Sequence, residues 1–261
     1  MKQTTQKTYW HSEATIQFQE IITTLTACKK KGTTAMLIAP TGHCKTFSID
    51  KFCQKNPEFT YRITINNLYK LKDIIYELAE LTGAEAVRTN KQITRSHKLT
   101  LDRVVKQLEI INNAGGHPII IIDEGENMEI ALLKMIKGLY DRLKDHCGIV
   151  LIGTHRLVGR MLNINEKGGS LRQREALPEL YRRFKAYHKN ITQIDQKRDF
   201  APFFKKYIPE DKGLQKLLCE LCGNYGELHD YLAPALEEAD EQGKPLTEDA
   251  FRIIHNIPKY N

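Results

Sequence analysis

The stretch HPIIIIDE, His117 to Glu124, decides how the rest of the chain is read. Four consecutive isoleucines show no alternation of apolar and polar residues. A strand of that kind is buried on both faces, which is what a parallel sheet with helices on each side requires. Asp123 and Glu124 close the strand at its carboxyl end, where open α/β sheets place their ligands. Some eighty residues earlier stands LIAPTGHCKT, Leu37 to Thr46. The apolar run leading into it, TAMLIA (34–39), reads as a second short buried strand, followed by a turn and by a helix opening near Lys45.

The turn has the spacing of a phosphate-binding loop, G-x-x-x-x-G-K-[ST]. Ala39 stands at the first glycine and Cys44 at the last, while Gly42, Lys45 and Thr46 are in place. Backbone N–H groups and a helix N-terminus would face the phosphates, with Gly42 permitting the sharp turn. Lys45 would reach the β- and γ-phosphates and Thr46 would ligate Mg²⁺. Asp123 would hold the same ion, mostly through its water shell, and Glu124 would polarise the attacking water as a general base. A strand ending in Gly153-Thr154-His155 offers Thr154 or His155 as a polar bridge between Glu124 and the γ-phosphate. Arg182 and Arg183, just before the last strand, are candidates to reach a neighbouring subunit's γ-phosphate, with Arg172 and Arg174 as rivals. If Cys44 needs a positive φ, the strain costs about 1–3 kcal/mol. Its thiol, at a helix N-terminus, is expected to make the loop sensitive to thiol reagents.

The remaining elements fit an alternation of strands and helices. FTYRITI (59–65), CGIVLIGTH (147–155) and KAYHKNITQI (185–194) read as strands. Helices are expected from Ser12 to about Lys30, over LYKLKDIIYELAELTG stopped by Gly83, over LTLDRVVKQLEIINNAGG, over about 128–145, and over LPELYRRF. The stretch 84–98 reads as polar and 163–175 as an exposed loop. Beyond Asp195 the pattern is helical only, with breaks at Pro209, Gly223 and Gly243. Strands alternating with helices give a parallel α/β sheet. The expected division is therefore 1–194, an α/β core with an N-terminal helix, and 195–261, a helical lid.

Charge reverses at the same boundary. The 261-residue chain carries a formal +7, yet from Asp195 onward nine basic and thirteen acidic residues give −4, leaving +11 for the rest. Residues 85–106 and 154–189 concentrate the positive charge, which suits a polyanionic partner. No run of about 18 apolar residues occurs, so no membrane partner is expected. MKQTTQKTYW lacks a signal-peptide core, and the expected location is the cytoplasm. Six cysteines are then thiols. The C-x-x-C at Cys219 and Cys222 lies in an apolar helical run and reads as packing.

Together these residues resemble the AAA+ ATPases over roughly 12–256. APTGHCKT (39–46) is similar to a Walker A motif, IIIIDE (119–124) to a Walker B motif, Thr154 or His155 to sensor 1, and YRRF (181–184) to the arginine-finger segment. The resemblance implies an AAA+ P-loop NTPase with a parallel five-stranded sheet of order 5-1-4-3-2 and a small C-terminal helical lid. It implies an ATPase whose nucleotide is held by Pro40, Thr41, Gly42, His43, Cys44, Lys45, Thr46 and Phe47, with Mg²⁺ at Thr46 and Asp123. The compact size and the DEGEN continuation (123–127) are similar to the transposition-regulator branch: the phage Mu B protein, TnsC, TniB and IstB-like proteins. That branch implies a helical or ring homo-oligomer on duplex DNA, serving a DDE-type transposase and disassembled by ATP hydrolysis. The implied DNA contacts are Arg88, Lys91, Thr94, Arg95, Lys98, Thr100 and Arg103, made to phosphates with little sequence preference. The alternatives are an AAA+ ATPase of replication, such as a helicase loader or initiator, and a nucleotide-binding scaffold with no DNA role. Gly226 and Glu227 stand where the lid of this family usually carries a sensor-2 arginine.

Overall fold

A computed structural model describes residue 10 and residues 14–87, 93–163 and 171–259, the side chains of 93–95, 163 and 171–176 excepted. The described residues fall into two compact units. One takes those within Met1–Gln19, Thr41–Cys44 and Thr192–Asn261; the other takes Glu20–Pro40 and Lys45–Ile191.

The larger unit is a sheet with helices on both faces. In chain order it runs α1 (Ile16–Lys31, whose first four residues count with the other unit), β1 (Thr34–Ile38), α2 (Lys45–Lys55), β2 (Thr60–Thr64), α3 (Leu71–Thr82) and α4 (Ile93–Asn113). It continues with β3 (Ile119–Asp123), α5 (Ile130–Leu143), β4 (Gly148–Gly153), α6 (His155–Asn163), α7 (Leu171–Lys185) and β5 (His188–Asn190). The five strands are all parallel, in the order β2-β3-β4-β1-β5. That is the expected 5-1-4-3-2 counted from the other edge.

Every residue of β1, β3 and β4 is buried, while β2 and β5, at the edges, are not fully covered. This is why the central strands read as unbroken apolar runs. Alternate residues still serve different faces. Met36, Ile38, Ile120, Ile122, Ile149 and Leu151 pack with α3, α4, α5 and α7, whereas Ala35, Leu37, Ile119, Ile121, Val150 and Ile152 pack with α1 and α2. The register sets Ile38 beside Gly153 and Thr64 beside Asp123, so the carboxyl ends of β1 and β4, and those of β2 and β3, finish level.

Several boundaries differ from the sequence reading. Helix α4 begins at Ile93, not at Leu99. Ser96, Thr100 and Val104, four apart, form its buried stripe. The two hydroxyls are satisfied inside: Thr100 accepts from the Val87 N–H at 2.9 Å and donates to the Ser96 carbonyl at 2.9 Å, and Ser96 donates to the Val87 carbonyl. Helix α6 lies where no helix was expected, and α7 begins at Leu171, inside the expected loop, carrying Pro178 within it. The last strand is only three residues long.

The smaller unit is helical: α8 (Gln196–Asp199), α9 (Ala201–Tyr207), α10 (Lys212–Leu221), α11 (Tyr225–Glu241) and α12 (Glu248–Ile254). Four of these five helices, α9 excepted, start on side-chain caps. Asp195, Asp211, Asn224 and Thr247 each accept a backbone N–H from the residue three further on. Phe200, Phe204, Leu214, Leu218, Leu228, Leu232 and Phe251 form its core, and Cys222 belongs to it. Burial pushes the Cys222 thiol up to about 12, helped by the nearby Glu227 carboxylate.

Candidate functional site

The loop leaves β1 with Ala39 in place of a glycine. Ala39 is fully buried among Leu37, Ile49 and Ile152, its N–H donates to the Gly153 carbonyl at 3.0 Å, and it is not among the residues with positive φ. A methyl group is therefore harmless there. At the other end of the loop Lys45 opens α2. It is buried, and its ammonium donates to the carbonyls of Ala39 at 2.9 Å and Pro40 at 2.8 Å. Those carbonyls hold a flexible, charged side chain beneath the loop, where a phosphate would compete for it. Thr46, the next residue, is exposed.

The loop's middle, Thr41–Cys44, counts with the smaller unit. Gly42 has φ +79°, and a Cβ there would strike the side chain of Asn224. Cys44 has φ +50°, a left-handed conformation that costs a non-glycine residue about 1–2 kcal/mol. Its Sγ lies 3.9 Å from Thr15 Oγ1. Asn224 and Glu227 are occupied with the start of α11. Asn224 Oδ1 accepts from the Glu227 N–H at 3.0 Å, Asn224 Nδ2 donates to Glu227 Oε1 at 2.7 Å, and the Gly223 N–H donates to Glu227 Oε2 at 2.6 Å. At the position where a sensor-2 arginine was sought stands a carboxylate that closes a helix cap.

In the larger unit the acidic pair ends β3. Asp123 is fully buried; its Oδ1 accepts from the Glu124 N–H at 3.0 Å and its Oδ2 from Arg62 Nη2 at 2.9 Å. Glu124 has φ +56° and ψ +40°, so the chain reverses sharply at the strand end. Burial raises the Glu124 carboxyl pKa; Glu126 and Asp123 add to the rise, and the Lys45 charge opposes it. A carboxylate held in this way is a better proton acceptor than an exposed one. Glu126 Oε2 accepts from the Thr154 N–H at 3.1 Å. Thr154 Oγ1 is buried and has no hydrogen-bond partner among the described residues. His155, at the start of α6, is exposed.

Sequence reasoning missed Arg62 and Glu126. The DEGEN stretch offered three acidic positions and only the first two were assigned. Arg62 sits in β2 beside Ile121, and its side chain reaches diagonally to Asp123, two residues further along β3.

The other candidates lie elsewhere. Arg183 is held on α7 by Asp141, with Nη2 to Oδ1 at 2.7 Å, and lies over the Tyr140 ring at 5.5 Å. Arg182 is exposed and makes no ion pair or hydrogen bond among the described residues. The two arginines line a cavity of about 490 Å³ with Thr33 and Thr34, at the amino end of β1 and so opposite the loop. The side chains of Arg172 and Arg174, the rival finger candidates, lie outside the described residues, and so, of the DNA candidates, do Arg88, Lys91 and the side chains of Thr94 and Arg95. Lys98 is exposed on α4. Arg103 pairs with Glu85 at 2.6 Å. Thr100 must be corrected: it is fully buried with its hydroxyl committed inside the fold, and it cannot meet a DNA backbone.

The AAA domain model matches residues 29–161, just over half of the chain, from the end of α1 into α6. The chain belongs to the AAA domain family. None of the curated proteins compared with it matches in sequence. In structure this AAA protein is similar to Cdc6p from Pyrobaculum aerophilum, with a TM-score of 0.56 and 15% identity over 94% of this chain and 66% of that one. It is similar also to domain III of the Thermotoga maritima replication initiation protein DnaA, with a TM-score of 0.55 and 10% identity over 92% of this chain and 89% of that one. A replication initiator DnaA bound to AMPPCP and single-stranded DNA gives a TM-score of 0.50 and 11% identity over 87% of this chain and 62% of that one. The chain thus spans just under two thirds of the Cdc6p chain. At these identities the likeness is one of fold. Two of the three are named as the replication initiator DnaA. Among the described residues, no helix is long and apolar enough to cross a membrane.

Proposed function

We propose that this AAA protein binds and hydrolyses ATP and acts on DNA in the manner of a replication initiator or helicase loader. This reading takes the place of the transposition regulator expected from the sequence. What carries it is the convergence of Lys45, Asp123, Glu124 and Thr154 just beyond the ends of β1, β3 and β4. The donor set fits the ligands: a buried ammonium for phosphate, hard oxygens at Thr46 and Asp123 for Mg²⁺, and an unpartnered buried hydroxyl at Thr154. Lys45 leaves the loop carbonyls for the β- and γ-phosphates. Glu124 orients the attacking water and accepts its proton. Thr154 supplies the hydroxyl that positions that water or the γ-phosphate, and Glu126 keeps the Thr154 backbone in place. Mg²⁺, when bound, offsets charge on the phosphate oxygens.

The DNA role is supported by the fold shared with DnaA and Cdc6p and by the positive charge of the chain before Asp195. Exposed Lys98, with Arg88, Lys91 and Arg95, is proposed to meet phosphates. Self-assembly would let exposed Arg182 reach a neighbour's nucleotide, and the cytoplasm is the proposed location. Fluorescence anisotropy with single-stranded and duplex oligonucleotides, with and without AMPPCP, tests the reading. Nucleotide-dependent DNA binding that weakens steeply with salt is the expected result. Salt-insensitive behaviour without DNA binding would leave the scaffold reading. Recovery of a replicative helicase on the tagged protein supports the initiator role, whereas recovery of a DDE-type transposase would restore the transposition role.

A further inference from the structure

Arg62 stands on β2 and joins two carboxylates from different elements. Its Nη2 donates to Asp123 Oδ2 at 2.9 Å and its Nη1 pairs with Asp50 Oδ1. Asp50 lies on α2, four residues after Thr46, and Asp123 closes β3. One guanidinium therefore ties the helix that begins with Lys45 and Thr46 to the strand that ends in the acidic pair. The Asp123 side chain is 1% exposed, that of Arg62 22% and that of Asp50 48%, so the inner half of the bridge is shielded from water and the outer half is not.

Charged groups of this kind add little stability over apolar ones of the same volume, because desolvation offsets their attraction. What the bridge does supply is direction. Asp123 is gripped through both oxygens, by the Glu124 N–H and by Arg62, and cannot rotate. Two separate nitrogens of one rigid plane make the two ends of the link. A lysine ammonium, a point charge on a flexible stem, cannot reproduce that span.

We propose that Arg62 is a positioning residue of the nucleotide site: a clamp that fixes the separation of Thr46 and Asp123, the two candidate ligands of the divalent cation. It touches neither substrate nor metal. The clamp rests on the nucleotide-site reading above, and its effect falls on cation coupling, not on nucleotide binding as such.

The test is titration of the full-length chain with a fluorescent ATP analogue, in EDTA and across a Mg²⁺ series, for wild type, Arg62→Lys and Asp50→Asn. In EDTA all three should bind alike. The Mg²⁺ concentration giving half of the affinity gain should rise about tenfold in Arg62→Lys, the scale typical of losing a partner behind a metal ligand. It should rise less in Asp50→Asn, which keeps the Arg62–Asp123 pair. Asp50→Asn carries the test if Arg62→Lys fails to fold, as read from its thermal unfolding. Mg²⁺ series that superimpose on wild type would overturn the clamp alone. So would an equal loss of affinity in EDTA and in Mg²⁺, which is what a merely structural role gives. Absence of nucleotide binding by wild type in every condition would overturn the nucleotide reading and the clamp with it.

Discussion

Ala39 and Cys44 occupy the two positions of the loop where glycine was expected, and their surroundings differ. Ala39 is buried in the sheet's own core, outside the set of positive-φ residues, with a backbone hydrogen bond to Gly153. Cys44 is half-buried, left-handed at φ +50°, and counts with the smaller unit. The same departure from a motif is thus free of strain at one position and costs about 1–2 kcal/mol at the other. A motif states which residue is usual, and only the backbone angle states whether the usual residue is needed. The contrast extends to the neighbours. Lys45 and Asp123 rest on a helix start and a strand of one unit, Thr154 just beyond β4 and Glu124, itself left-handed at φ +56°, just beyond β3, whereas Gly42 and Cys44 form a turn packed against Asn224 and Thr15.

The largest effects should come from the rigid side. Lys45→Ala removes the ammonium and leaves the carbonyls of Ala39 and Pro40 without it. Nucleotide affinity, by calorimetry, should fall on the order of 100-fold or more. Near-wild-type affinity would mean that the strained turn, not the rigid side, holds the ligand. Glu124→Gln should leave binding within about twofold and lower steady-state hydrolysis by about 10²–10⁴, the range of a lost general base. A loss of binding equal to the loss of turnover would show Glu124 to be a structural support.

How much of this was legible follows the same division. The runs TAMLI, IIIID and GIVLIG announced buried parallel strands, being short, bounded by turn residues and set between helical stretches, and the acidic pair marked a carboxyl end. The start of α4 was hidden because Ser96 and Thr100 are polar yet buried, satisfied by the backbone of Val87. The stripe Ser96, Thr100, Val104, at intervals of four, was nevertheless present, and it argued against Thr100 as a surface contact. Helix α6 was missed because HRLVGRMLN carries a glycine and directly follows a strand. The φ of Cys44 was not legible at all, for it depends on how a turn is held by Asn224 and Thr15, far away in sequence.

The strained turn can be loaded further. Gly42→Ala places a Cβ at φ +79° against Asn224, whose own Cβ would be only 2.8 Å away. Strain of about 1–3 kcal/mol is expected, read as a fall in nucleotide affinity of roughly tenfold or more. Pairing it with Asn224→Ala separates the two sources. Shortening Asn224 relieves part of the collision but leaves the backbone strain and removes a helix cap worth about 1 kcal/mol. Full recovery of affinity in the double variant would show that the collision was everything and that the angle costs nothing.

The smallest effect is the most direct test of the comparison, because its two halves have opposite signs. Cys44→Gly relieves left-handed strain of about 1–2 kcal/mol and gives back about 0.4–1 kcal/mol through the freer unfolded chain. The net gain is about 0.5–1 kcal/mol, a rise in Tm of about 1–4 °C. Ala39→Gly relieves nothing and should lose about 0.5–1 kcal/mol, lowering Tm by a similar amount. Thiol reagents that slow the wild-type ATPase should also leave Cys44→Gly unaffected. Differential scanning calorimetry of the two variants decides the matter. If both move Tm in the same direction, the two departures from the motif are equivalent and the backbone angle is not what distinguishes them.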